Sequence, residues 1–263
     1  MMNKRIQFIV LLVLAILSWG CSSDKKKAED TSKKVVVKGV VKNADGRMLY
    51  LHLMLVDTTG VGGVEYDGLS NNIVLNGEFS LSYQPDDAEP QFYRIGFGGQ
   101  NTITTLARRG EQLSFTFNNP DTLCRNYKVV GGEDAQLMRE LDLRLSRFID
   151  STEHLMLWYE YSDDDSSRVV INNAYTLIKG HHRDFLSQFI IRHPTSLATI
   201  HAFYQKYQMG TFFDEAEDLA LLEDIYANLK KKYPHNRNVI WLAKRIDFIH
   251  KNIDNQNNKE SNS

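Results

Sequence analysis

The sequence is poor in cysteine, with two in 263 residues, and it carries no excess of positive charge. Two thiols are too few for a disulfide framework or a cysteine zinc cluster. A net charge of −2 and a pI near 6.5 lack the strong basic excess of nucleic-acid binders, so no nucleic-acid partner is expected. Long apolar runs are missing too. The run at residues 6–17 is too short to cross a bilayer comfortably, and a polytopic membrane protein is excluded. What is present points to a folded chain: 42% of residues are hydrophobic, and 13 Phe with 12 Tyr supply one or two packed cores.

The N-terminus combines Lys4 and Arg5 with that apolar run, broken only by Gln7, in the pattern of a secretory signal. It ends in Leu17-Ser18-Trp19-Gly20-Cys21. A small residue directly before a cysteine at this place resembles the lipobox of bacterial lipoproteins. The resemblance implies a signal peptide over residues 1–20, cleaved before Cys21, which then carries the acyl chains. Each buried methylene contributes about 0.8 kcal/mol, so two or three chains hold a protein on a membrane durably. Residues 21–34 are then a lipidated tether. Residues 22–34 are polar and lysine-rich, and span roughly 40 Å when extended. Only Asp24 precedes the lysines after the cysteine, which favours an outer-membrane lipoprotein facing the periplasm over surface display.

From residue 35 to residue 131 the pattern is that of strands. Val35–Val41 is β-branched, and residues 47–56 are apolar on both faces, as in a central strand. Asn76-Gly77 between residues 70–75 and 78–83 is a hairpin signal. Phe79, Leu81 and Tyr83 alternate with serines, and Leu113, Phe115 and Phe117 share a face. An antiparallel β-sandwich-like domain is expected. After Gly131-Gly132 the period changes to three and four residues, giving a helical domain of about five helices over 132–253. The stripes are Leu137 to Tyr159, then Val170, Ala174, Leu177, His181, Phe185 and Phe189 after a cap at Ser166 or Ser167. A third helix is expected over 196–209, a fourth capped by Asp214, and a fifth over 239–253. Residues 254–263 read as a disordered tail. The fold class is α+β.

The string from Val37 to Gly46 with Leu49-Tyr50-Leu51, followed by Leu75-Asn76-Gly77-Glu78-Phe79-Ser80, Phe92-Tyr93-Arg94-Ile95 and Arg109-Gly110-Glu111, resembles a domain of unknown function in bacterial envelope lipoproteins. Tyr127-Lys128-Val129-Val130-Gly131 and the helix ends at His193-Pro194 and Tyr233-Pro234 continue the likeness. In that family a thioredoxin-like (TlpA/AhpC-TSA type) domain commonly follows. The sequence holds no Cys-x-x-Cys pair, so it is expected to lack that part and its thiol exchange.

Other chemistry is thinly represented. Cys124 stands beside Arg125, which favours a lowered thiol pKa, although a partly buried structural cysteine is the plainer reading. His181, His182, His193 and His201 lack ligand spacing and read as core-edge and surface histidines, with His181 on the apolar stripe. The glycine clusters near residues 60 and 96 complete no nucleotide-binding motif. Trp158, Tyr159 and Tyr161 are the tentative ligand-binding residues, as an aromatic patch for sugar or peptide. The expectation is a non-catalytic, lipid-anchored cell-envelope protein without a cofactor, serving as a scaffold or binding a partner or ligand. Its partners are the membrane and an envelope protein. Alternatives are an accessory to a separately encoded thioredoxin-like protein, and a glycan- or peptide-binding module.

Overall fold

The computed structural model describes residues 31–57, 59, 63–99, 101–208 and 210–260. Cys21 and the tether up to residue 30 lie outside the described residues. The eight longer strands are β1 (Val35–Val41), β2 (Met48–Val56), β3 (Val64–Ile73), β4 (Glu78–Tyr83), β5 (Gln91–Gly96), β6 (Thr102–Ala107), β7 (Gln112–Phe117) and β8 (Tyr127–Val130). They form two four-stranded sheets, ordered β4-β1-β7-β8 and β3-β2-β5-β6. Pairing is antiparallel except between β1 and β7, which run parallel. The fold class is α+β, as expected.

Side chains alternate across each strand, and this decides the layering. Val35, Val37, Leu81, Leu113 and Phe115 of the first sheet meet Leu49, Leu51, Tyr93 and Ile95 of the second in one core. Phe92 and Leu106, on the opposite face of the second sheet, join the helices in a second core. The second sheet is therefore covered on both sides, and the residues from Ser32 onward cluster as one compact unit.

The helices are α1 (Glu133–Glu160), α2 (Asp165–Arg192), α3 (Ala198–Phe203), α4 (Leu219–Lys232) and α5 (Arg237–Glu260). A short ribbon, β9 (Lys206–Tyr207) with β10 (Gly210–Thr211), separates α3 from α4. In the first turn of α1, Asp134 accepts hydrogen bonds from Ser196 Oγ at 2.6 Å and Arg108 Nη2 at 3.0 Å, tying helices to strands.

Several expectations need correction. Asn76 and Gly77 do make a tight turn, both at positive φ, but only one bridge, Leu75 to Glu78, closes it. The chain crosses there from one sheet to the other, and β3 forms its hairpin with β2 instead. The cap of α2 is Asp164, which accepts from the Ser167 backbone at 2.8 Å and from its hydroxyl at 2.6 Å. Burial in α2 begins only at His182, so Val170, Leu177 and His181 are exposed. The third helix stops at Phe203, with Gln205 turned inward to His182 Nε2 (2.7 Å) and to the Leu141 carbonyl. Asp214 accepts from the N–H groups of Ala216 and Glu217 in a separate turn, and α4 starts five residues later. Helix α5 runs past Ile253 to Glu260, through most of the expected tail.

Candidate functional site

Helix α5 presents Trp241, Arg245, Phe248, Asn252 and Gln256 at helical spacing along one side. Opposite stand Met54, Val56 and Phe92 on the outer face of the second sheet. Ile200, His201 and Phe203 enter from α3 and Tyr204 from its C-cap, and the turn at residues 213–216 closes one end. Together they enclose a cleft of about 810 Å³. That is within the size range of small-molecule sites, roughly 300–1,000 Å³.

Arg245, Glu215 and Tyr204 form one tight cluster in the cleft. Arg245 donates to both carboxylate oxygens of Glu215, at 2.8 and 2.5 Å, and Tyr204 donates its hydroxyl to the same carboxylate at 2.8 Å. Burial opposes the Glu215 charge, but the hydrogen bonds from Arg245 and Tyr204 outweigh it and hold the carboxyl below its usual range. Burial and the neighbouring Glu215 push the Tyr204 hydroxyl well up. Tyr204 meets Trp241 edge-on at 5.3 Å, and Arg245 lies over Phe248 at 5.2 Å. Two polar groups stand apart from this cluster. His201 packs beside Phe92, with ring centres 6.5 Å apart, and makes no hydrogen bond among the described residues. The indole N–H of Trp241 is buried without a partner among them.

Burial pushes the His201 imidazole down to about 4, so it is neutral at pH 7. The unfolded chain, at 6.5, takes up the proton first, and stability is lost as pH falls from 6.5 towards 4. The full shift corresponds to about 3 kcal/mol. Asp142, pushed up to about 7 by burial, acts in the opposite direction. The comparison is therefore between His201→Phe and the native chain at each pH. Urea midpoints are expected to show the variant gaining relative stability between pH 6.5 and 4.5; parallel pH dependences count against a buried neutral imidazole.

The residues singled out in the sequence lie elsewhere. Trp158, Tyr159 and Tyr161 are 63%, 41% and 82% exposed at the end of α1, outside the cleft. Arg168 covers Tyr159 at 5.4 Å. Cys124 is exposed in the turn before β8, so it is not a buried structural residue. Its thiol is raised rather than lowered, because surrounding protein atoms partly desolvate it even at this exposed position and Asp142 adds negative charge nearby, while Arg125 pairs with Asp150 at 2.8 Å and Glu153 at 3.0 Å. His182 rather than His181 enters the core. Among the described residues no cluster of three His, Cys, Asp or Glu gathers as metal ligands.

Sequence reasoning missed Tyr204, Glu215, Trp241 and Arg245. The one local signal was the spacing of large side chains on α5; their partners are distant in sequence. No protein-family model, curated protein or solved structure matches the chain.

Proposed function

We propose that the chain is a non-catalytic, lipid-anchored cell-envelope protein that acts by binding, held to a membrane through Cys21 and using the cleft as its binding site. The cleft carries the binding part of this reading. Its walls are largely apolar and its strongest charges neutralise each other, which suits holding a ligand better than moving protons. The signal-like N-terminus and Gly20-Cys21 support the anchor, as does the resemblance to envelope lipoproteins.

Labelling cells with an alkyne fatty acid is expected to tag the native chain and not Cys21→Ser. Tagging of that variant, or none of the native chain, overturns the anchor. Turnover of a substrate by the purified chain, abolished by changing one lining side chain, overturns the non-catalytic part.

A second reading, the glycan- or peptide-binding module, keeps one observation in its favour. Trp158 and Tyr161 are among the most exposed large side chains and stand three residues apart at the C-terminal end of α1, where Tyr161 is the cap. The raised thiol of Cys124 gives no support to a redox accessory.

A further inference from the structure

The chemistry of the cleft walls narrows what fits inside. Resting on the reading that the cleft is a binding site, we infer that it takes an uncharged, ring-bearing apolar molecule whose hydroxyl or carbonyl oxygen hydrogen-bonds His201.

The first argument is shape. Phe92, Phe203, Tyr204, Phe213, Trp241 and Phe248 line the cleft, and Phe203 and Phe213 are stacked at 5.2 Å with planes 7° apart. Rigid flat walls favour rings, which add stacking to apolar burial.

The second argument is charge. Arg245 is matched by Glu215, and Glu215 is also satisfied by Tyr204. Asp214, whose Oδ1 accepts from two backbone N–H groups, adds a negative charge at the same end of the cleft. Lys206 stands on the exposed ribbon at the rim. A carboxylate or phosphate carried inside would surrender its water and find its candidate cation already paired, an expensive exchange.

The third argument rests on the two polar ring groups that stand between the aromatic walls, His201 and Trp241. The Trp241 N–H is buried without a hydrogen-bond partner among the described residues, and the half-buried His201 imidazole on the cleft wall makes no hydrogen bond among them. A buried unpaired donor such as the Trp241 N–H carries a desolvation cost, and the His201 ring, open to the cleft, is free to exchange water for an incoming oxygen. A neutral imidazole offers one donor and one acceptor, so it suits either a hydroxyl or a carbonyl.

The test uses 4-benzoylbenzyl alcohol and 4-benzoylbenzoate, photoreactive probes close in size that differ in charge. Each is irradiated with the full chain held in lipid discs, and crosslinked peptides are mapped by mass spectrometry. The alcohol is expected to label peptides from α3 and α5, with the carboxylate labelling them about tenfold less. His201→Phe is expected to reduce alcohol labelling about fivefold. Ala216→Trp, at an exposed rim position where folding is little affected, is expected to abolish labelling by both.

Equal or stronger labelling by the carboxylate overturns the ligand class while leaving the cleft a binding site. Absence of label from cleft peptides with either probe overturns the binding reading itself. Undiminished alcohol labelling of a folded His201→Phe removes the contact to that residue. If His201→Phe does not fold, the probe pair on the native chain and on Ala216→Trp still decides.

Discussion

Replacing Gly39 with alanine is expected to lower stability by about 3 kcal/mol or more, and Tm by about 6–12 °C for a chain of this size. Gly39 lies on β1 in register with Phe115 of β7, in the parallel pair at the middle of the first sheet. A Cβ at Gly39 would fall 1.9 Å from the Phe115 carbonyl oxygen and within 3 Å of its carbonyl carbon and nitrogen. Those are backbone atoms and cannot rotate away, so β1 and β7 must separate. The Phe115 ring that moves with them stacks on Phe117 at 5.5 Å in the sandwich core. Gly180 on α2 provides the opposite case, because a Cβ there meets nothing within 4 Å. Its replacement by alanine is expected to raise stability by about 0.5–1 kcal/mol through helix propensity. Urea unfolding of the two variants checks both signs. A Gly39→Ala protein as stable as the native chain would show that β1 and β7 do not approach this closely.

What was legible in the sequence was whatever depends on neighbours along the chain. The alternation in β4 and β7 marks their inward faces, and β2, apolar on both sides, is central because its sheet is covered by a second sheet and by helices. Asn76-Gly77 announces a turn, but which strand pairs with which is decided by distant residues, so the turn's role as a crossing between sheets was hidden. The α2 stripe misled for a related reason. Periodicity shows which residues share a side, while burial needs a partner helix, and the buried residues of α2 begin only at His182. The cleft was almost illegible. Phe92, His201, Glu215 and Arg245 come from four separate stretches, and nothing in their local sequence distinguishes them from ordinary packing or surface residues. The exposed aromatics Trp158, Tyr159 and Tyr161 stand out because they fall within four consecutive residues, which is a weaker criterion than convergence in space.

The second large effect is expected at Asn236, which joins two walls of the cleft. Its Nδ2 donates to the Pro90 carbonyl, just before β5, at 3.0 Å. Its Oδ1 accepts from the Asn238 backbone N–H at 3.0 Å and thereby caps the start of α5. The side chain is fully buried, so water cannot replace either bond. Asn236→Ala loses the cap, about 1 kcal/mol, and strands the Pro90 carbonyl, about 1–3 kcal/mol, for a total of about 2–4 kcal/mol. Asn236→Ser separates the two contributions: its hydroxyl restores the cap but is too short to reach Pro90, so its stability is expected between those of Asn236→Ala and the native chain. Asn236→Asp keeps the capping acceptor but sets a carboxylate against the Pro90 carbonyl in a buried place, and is expected to be at least as damaging as alanine. Denaturant midpoints for the three variants give the order. If serine and the native residue prove equal, the bond to Pro90 contributes nothing, and α5 is held over the second sheet by apolar packing alone. The distinction bears on the cleft, because apolar contact is non-directional and tolerates sliding. A buried hydrogen bond from the residue capping α5 to the residue before β5 fixes where Trp241, Arg245 and Phe248 stand relative to Phe92, and so sets the width of the space between them.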